Sequence, residues 1–545
     1  MKPADHGLVA PTTPPREPAG PGTIAALVDR LAATTPDRTA LVGRIARLTG
    51  AELLTEVDRA AAALQDLGVR PGDRVAASLP NDVDVVVSFL ATMRTGAIWV
   101  GLNRSLATPE KAYLLGDCGV SVLLAEVEVA VSVRSLAGDL PDLHHVLTVD
   151  PDSPGDEWRE AMAGARPAPE PVTVDPLDPA AVAYTSGTTG FPKGAVHSQH
   201  NLLLPGAVSR QRGQYPDGGV LGVALPLTIL NLIVLGPLMA FQNEMALVAM
   251  DRIDAVGLAQ WIGAERITTF AAVPAMVHDL LTSPEVDGAL LASLDGIGVG
   301  GADMPDAFRR LYADRFGRPV GTGYGLTEAP TAVTLEDPDE PPIPGTCGKA
   351  LPHVSIHVLD DHGGSCEPGT VGEVCVGPAV DGPFADCWRP MLGYWNRPEA
   401  TAEALRDGLL HTGDLGTLDP DGHLFIKDRR QDLIIRGGAN VYPAEVERVL
   451  HDEPRVAACA VIGVPDERLG ERVVAFVQAT DGDPIPEDEL RDHCREHLAA
   501  YKVPDTITFL EGFDRTPMGK IRKTTLRAPG SSAAPRDGPV ADRAR

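Results

Sequence analysis

The sequence predicts an α/β protein. It has a large N-terminal domain of doubly wound sheets with a β-rich subdomain, followed by a small α+β C-terminal domain. Three observations predict this. The chain has 545 residues, too many for one compact core. Up to about Gly345, short β-branched runs alternate with amphipathic helical stretches, the pattern of a sheet layered with helices. Beyond Gly345 the runs shorten and Gly/Pro turns separate them.

The opening "MKPADHGLVAPTTPPREPAGPG" (1–22) is Pro-rich with no apolar core run, so it reads as a flexible leader and not a signal peptide. From Ile24 to about Leu67, Ala and Leu recur at three- and four-residue spacing and predict helix. "DRVAASL" (Asp73 to Leu79) is a buried strand. "NDVDVVVSFLATMRTGA" (Asn81 to Ala97) is an N-capped amphipathic helix ending near Gly96. "VSVLLAE" (Val120 to Glu126) is a further strand, and the alternation continues through "ERITTFAAVP" and "LDGIGVGG". "GEVCVGP" and "GHLFIKD" are strands of the β-rich subdomain. An α+β unit follows "DRRQDLIIRGGANVYPAEVERVL", and residues 528–545 read as a disordered tail.

Gly218 to Gln242 carries no charge and by length alone could cross a membrane. Pro226 and Pro237 break the run, Asn231 sits inside it, and no Lys/Arg cluster flanks it, so it reads as a buried core segment walling an apolar pocket. The net charge of -28 argues against a nucleic-acid partner but leaves room for anionic small ligands at a local basic site. Seven scattered cysteines with no CxxC pair indicate a reduced, cytoplasmic chain without a disulfide framework or zinc site. His197 and His200 lack a third ligand and read as polar residues opening a helix. The oligomeric state is left open, a dimer included.

The densest chemistry lies in "VAYTSGTTGFPKGAVHS" (Val182 to Ser198). "AAVAYT" is strand-like, whereas "SGTTGFPKG" cannot be regular structure. Its glycines let backbone amides converge, its Ser/Thr hydroxyls add donors, and Lys193 adds a point charge, a combination suited to phosphate oxygens. Gly194 follows Lys193 where a Walker A loop needs Ser or Thr.

Tyr184 to Gly194 closely resembles the phosphate-loop signature of the adenylate-forming (AMP-binding) superfamily, which includes acyl-CoA synthetases, peptide-synthetase adenylation domains and beetle luciferases. "GYGLTE" (Gly323 to Glu328), "GYWNRPEAT" (Gly393 to Thr401), "HTGDLG" (His411 to Gly416), "DRRQDLIIRGGANVYPAEVE" (Asp428 to Glu447) and "RTPMGKIRK" (Arg515 to Lys523) resemble its further landmarks, in the family's order. "GDRVAASLPNDVD" also has the family's N-terminal look. The likeness spans roughly Thr23 to Arg527 and implies an ANL-type fold. Its N-terminal adenylate-binding domain would cover 23–429 and its mobile C-terminal domain 430–527.

The resemblance implies a ligase that joins a carboxylate to the α-phosphorus of ATP and then passes the acyl group to coenzyme A. Thr185, Ser186, Gly187, Thr188, Thr189, Gly190 and Lys193 would hold the departing phosphates. Gly323, Tyr324 and Gly325 would frame the adenine, with the Tyr324 ring stacked on it. Thr327 and Glu328 would lie near the α-phosphate, with Glu328 on Mg²⁺, a hard cation suited to carboxylate oxygen. Asp414 would accept both ribose hydroxyls, and Arg429 would also reach the ribose. Lys520 would bridge the substrate carboxylate and the α-phosphate; Lys520, Glu328 and Thr185 form the implied catalytic set. Gln431 would be the hinge. Gly437 and Gly438 would pass the pantetheine arm, and Arg436 would meet a CoA phosphate.

The implied acid pocket comprises Leu227, Thr228, Ile229, Asn231, Val273, Gly300, Gly301 and Ala302. It is apolar, so a hydrophobic carboxylic acid is expected: fatty, alicyclic, terpenoid or aryl. The chain departs from the family in two places. Thr228 and Ile229 stand where an aromatic-His pair is common, and Gln431 stands where Asp or Lys is usual. A member that has lost the adenylation half-reaction is therefore one alternative, and loading of a carrier protein in trans is another. A non-catalytic nucleotide-binding relative is disfavoured by Lys193, Glu328, Asp414 and Lys520.

Overall fold

The computed structural model describes residues 3–9, 15–16, 20–150, 152–153, 156–185, 192–299, 306–337, 340–341, 343–429, 432, 434–436, 439–466, 469–480, 485–498, 500–515 and 520–526. The chain divides into two units. The first holds Met1–Thr412 and Thr417–Phe425; the second holds Gly413–Gly416 and the chain from Ile426 onward.

Local chemistry sets the first helices. Thr49 caps Gly50–Asp66: its hydroxyl accepts from the Glu52 amide at 3.3 Å, and the Glu52 carboxylate accepts from the Thr49 amide at 2.9 Å. The Asp82 carboxylate accepts from the Val83 amide at 2.8 Å and starts the helix Val83–Arg94. That helix ends before Gly96, whose φ of +69° suits glycine. The stretch from Ile24 to about Leu67, expected to be helical, holds two helices, Ile24–Thr34 and Gly50–Asp66, separated by strands Thr39–Val42 and Arg47–Thr49. The apolar spacing misled there: "TALV" buries Ala40, Leu41 and Val42 in a sheet.

Two sheets frame the first unit. The larger runs in the order Gly393–Tyr394, Lys193–Ser198, Pro179–Thr185, Ile98–Gly101, Arg74–Ser78, Val122–Ala125, His145–Thr148. Pairing within it is parallel except at Lys193–Ser198, which is antiparallel to both neighbours. The second runs Gly296–Val299, Thr269–Ala272, Val220–Val223, Ala246–Ala249, Thr39–Val42, Arg47–Thr49, with only the last antiparallel. Helix Val83–Arg94 buries residues on nearly every face, and Phe89 meets Trp99 edge-on with ring centroids 5.6 Å apart. A smaller sheet follows in the order Val354–Leu359, Gly372–Pro378, Leu409–Leu418, Leu405–Arg406.

The uncharged stretch is core, as its prolines predict. It forms strand Val220–Val223, helix Leu230–Ile233, a wide π-type turn Val234–Leu238 containing Pro237, and helix Met239–Gln242. No helix among the described residues is long and apolar enough to cross a membrane.

The second unit has its own sheet, Ala439–Val441, Ile434–Arg436, Gly470–Ala479, Val456–Asp466, with Thr506–Phe509 parallel to Gly470–Ala479. Ile434, Val446, Val461, Val477 and Leu490 are among its core residues. The tail 528–545 lies outside the described residues.

The leader differs from expectation over residues 3–9. Leu8 is only 5% exposed, and His6 stacks on Trp395 at 4.1 Å. The Val9 amide donates to Leu392 O at 2.7 Å and the Asn396 amide to His6 O at 2.9 Å. Composition suggested flexibility, but one leucine and one aromatic partner suffice to seat the segment.

Candidate active site

The hairpin of Pro179–Thr185 and Lys193–Ser198 ends at the pair Thr185↔Lys193, where the Thr185 hydroxyl donates to Lys193 O at 3.4 Å. Ser186, Gly187, Thr188, Thr189 and Gly190 lie outside the described residues. The flanks of that loop are held from one side by the helix Thr108–Cys118. Tyr184 Oη donates to Asp117 Oδ2 at 2.8 Å, and Arg397 donates to Asp117 Oδ1 at 2.6 Å. Tyr113 Oη donates to Pro192 O at 3.3 Å, and Arg397 reaches the Tyr113 hydroxyl at 3.3 Å. Burial pushes the Tyr184 phenol well up, so it remains a donor to the carboxylate. Gly194 is needed for close approach: a Cβ there would come within 2.5 Å of Val182 Cγ1.

The strand Gly393–Tyr394 lies against the second hairpin strand, with Tyr394 opposite Ala195. This brings three polar groups together. Tyr394 Oη donates to Glu328 Oε1 at 2.8 Å. Lys193 Nζ lies 5.3 Å from the centroid of the Tyr394 ring. His197 Nε2 donates to Thr327 O at 2.7 Å. His197 belongs to the strand Lys193–Ser198 and does not open a helix; His200 lies in the helix Gln199–Gln211 and bonds Cys387 O at 2.6 Å. Burial lowers the His197 pKa to about 4, so the ring is neutral.

The "GYGLTE" segment carries two of these groups, Thr327 and Glu328. The Tyr324 carbonyl accepts from the amides of Val333 at 2.8 Å and Thr334 at 3.2 Å, and its ring packs against the cluster containing Trp388 and Met391. A Cβ on Gly325 would fall 2.2 Å from Thr331 O, and one on Gly323 2.7 Å from Thr334 O, so neither site tolerates a side chain. Thr327 and Glu328 follow, both half-buried.

The acid-pocket candidates are only partly assembled by the described residues. Asn81 fixes the approach to them: its Nδ2 donates to Val223 O at 3.2 Å and Leu225 O at 2.9 Å, and its Oδ1 accepts from the Leu227 amide at 2.9 Å. Leu227 is fully buried and Thr228 nearly so. Ile229 and Val273 pack against the same core cluster. The Thr228 hydroxyl and Asn231 Oδ1 are buried with no hydrogen-bond partner among the described residues. Gly300, Gly301 and Ala302 lie outside the described residues.

Other expected site residues fall beyond Leu405. Asp414 is buried in the strand Leu409–Leu418, and Arg429 closes the strand Leu424–Arg429. Arg436 ends Ile434–Arg436 and is already engaged: it pairs with Asp505 and donates to Tyr501 O at 2.8 Å. Lys520 is exposed on the second unit, next to the bridge between Arg515 and Ile521. Gln431, Gly437 and Gly438 lie outside the described residues.

Sequence reasoning missed Asn81, Asp117, His197 and Tyr394 as parts of this arrangement. Asn81 and Tyr394 do lie in the quoted "GDRVAASLPNDVD" and "GYWNRPEAT", but their partners are far away in the chain. Two metal-competent groups among the described residues were also unforeseen, one of Asp419, Asp421 and His423 and the other of Glu373, Cys375 and His411; in the second, the three side chains lie close together. Its members bond each other, with His411 Nδ1 at 3.0 Å from Glu373 Oε2 and 3.3 Å from Cys375 Sγ, and Arg406 pairs with Glu373 at 3.2 Å.

A family profile described as AMP-binding enzyme matches residues 28–395, and one described as AMP-binding enzyme C-terminal domain matches 445–520. Feruloyl-CoA synthase from Amycolatopsis sp is 38% identical over 504 residues, covering 91% of this chain and 97% of the relative. Fatty acid–[acyl-carrier-protein] ligase ScoC from Streptomyces coeruleorubidus is 35% identical over 491 residues, covering 88% of this chain and 91% of the relative. Among solved structures, ATP-bound MatB from Rhodopseudomonas palustris superposes with a TM-score of 0.82 at 30% identity, covering 92% of this chain and 98% of that one.

Proposed function

Because the chain belongs to the AMP-binding enzyme family, we propose that it is an ATP-dependent acid–thiol ligase that converts a hydrophobic carboxylic acid into its acyl-CoA. In the first half-reaction a carboxylate oxygen attacks the α-phosphorus of ATP, forming acyl-AMP and expelling pyrophosphate. In the second, the CoA thiolate attacks the acyl carbon and AMP leaves. The observation that carries this reading is the hairpin closed at Thr185↔Lys193, with Glu328 held beside it through Tyr394.

Two anions must meet, so fixed positive charge and aligned donors matter most. Residues 185–190 and Lys193 bind the departing phosphates. Glu328 suits Mg²⁺: it is a half-buried carboxylate beside the phosphate hairpin, with one oxygen oriented by a phenol. That ion supplies charge neutralisation on the phosphates. Gly323 to Gly325 frame the adenine, with the Tyr324 ring stacked on it. Asp414 and Arg429 bind the ribose. Lys520 bridges the two reacting anions, and Gln431 serves as hinge. Gly437 and Gly438 admit pantetheine, and at Arg436 a CoA phosphate competes with Asp505. Leu227, Thr228, Ile229, Asn231, Val273 and residues 300–302 line the acid pocket. The reading places the chain in the cytoplasm, on the scattered spacing of its seven cysteines.

A second reading, transfer to a carrier protein in trans, is favoured by the likeness to the acyl-carrier-protein ligase. One experiment separates the readings. The protein is incubated with ATP, Mg²⁺ and pooled fatty and aryl acids, with and without CoA, and in a further arm with chemically made acyl-adenylates plus CoA, and products are read by mass spectrometry. Acyl-CoA from free acids is the expected result. Acyl-adenylate that CoA cannot discharge points to a carrier. Thioester formed only from supplied adenylates means adenylation is lost, and Thr228 and Ile229 are then the first positions to restore. No product in any arm overturns the proposal.

A further inference from the structure

Tyr394 stands between two opposite charges that the proposed chemistry must keep apart. Its hydroxyl engages Glu328 at 2.8 Å, and its ring faces the Lys193 ammonium at 5.3 Å. Among the described residues, Lys193 and Glu328 form no ion pair with each other. A direct pair would neutralise the cation needed by the phosphates and the carboxylate needed by a hard cation. The phenol prevents this by holding each group through a different part of one rigid side chain: a charge-assisted hydrogen bond at the tip and cation–π attraction at the face.

The ring is itself well fixed. Tyr394 pairs with Ala195 on the hairpin strand, its amide donates to Thr401 Oγ1 at 2.9 Å, and its carbonyl accepts from the Arg397 amide at 3.1 Å. The ring packs against the cluster that holds Val376, Trp388 and Met391. Glu328 is tethered a second time through its carbonyl, which accepts from the Met391 amide at 3.1 Å.

We propose that Tyr394 is a positioning residue that presents the Glu328 carboxylate to the metal of metal–ATP while keeping Lys193 separate for the phosphates. This rests on the reading of the hairpin as the ATP phosphate site. The Tyr394→Phe variant keeps the ring and removes the bond to Glu328; Tyr394→Leu removes both contacts.

The test is ATP–pyrophosphate exchange and calorimetric binding of ATP, each titrated with Mg²⁺. For Tyr394→Phe the half-saturating Mg²⁺ concentration rises about tenfold, as expected for loss of one hydrogen bond to a charged group, while the ATP KM at saturating Mg²⁺ and the acid KM stay at wild-type values. For Tyr394→Leu the ATP KM rises as well. An unchanged Mg²⁺ requirement in Tyr394→Phe overturns the proposal, and that variant is near-isosteric, so it decides even if Tyr394→Leu does not fold. Absence of exchange in the wild type with every acid counts against the proposed ligase. The calorimetric Mg²⁺ dependence still judges Tyr394 in that case, and wild-type protein that binds no ATP overturns both.

Discussion

Lys193 and Lys520 are assigned different tasks, and single substitutions separate them. Lys520→Ala is expected to lower acyl-adenylate formation by about 10²–10³-fold, the range for removing one donor aimed at developing charge, while thioester formation from supplied acyl-adenylate persists. Stopped-flow assay of the two half-reactions checks this, and full adenylation in the variant would sink the assignment. Two buried histidines give a second prediction. Burial lowers both His197 and His353 to about 4, below the ordinary value. The unfolded chain therefore binds protons first as pH falls, so each histidine costs stability between about pH 6.5 and 4, up to about 3 kcal/mol. Asp84 works oppositely, since burial raises its carboxyl to about 6. Comparing wild type with His353→Leu isolates one histidine: denaturant midpoints from pH 7 to 4.5 should fall less in the variant. At this scale Lys193 was legible because its motif is local, whereas Tyr394 was not, because its partners are 66 and 201 positions away in the chain.

The hairpin proposed to bind the ATP phosphates is an element held from outside itself. The Asp117 carboxylate receives Tyr184 from the first strand and Arg397 from the turn after Tyr394, and Tyr113 holds Pro192 beyond the loop. Asp117→Asn weakens both Asp117 contacts without changing side-chain size. It should raise the ATP KM several-fold, the order expected when a hydrogen bond to a charged group is lost, and leave the acid KM unchanged. Arg397→Ala should do the same, with partial rescue in Arg397→Lys. Equal loss for ATP and acid would indicate general disruption. Element identity was mostly readable where capping residues mark it. Asp82 and Gly96 bound Val83–Arg94 as expected. Between Ile24 and Leu67 the apolar spacing fits helix and strand alike, and burial of Ala40, Leu41 and Val42 beside Ala246–Ala249 decided for strand.

On the scale of the whole molecule, the order of the motifs made the family legible, and the texture change near Gly345 made the subdomain legible. The seat of residues 3–9 was not, since nothing in a Pro-rich leader announces Trp395 as a partner. Deleting residues 1–9 should cost about 2 kcal/mol for the loss of buried Leu8 alone, read as a lower denaturant midpoint. The same segment has a consequence for handling the protein. His6 and Val9 take up the Asn396 amide and the Leu392 carbonyl on either side of Gly393–Tyr394, and the His6 ring covers Trp395. Trimming them, or pulling them away with a bulky purification tag, frees those two backbone groups and uncovers the Trp395 ring, an apolar patch that another molecule can cover. Light scattering should then report clumping in shortened or tagged preparations, and a tag moved to the other terminus should cure it.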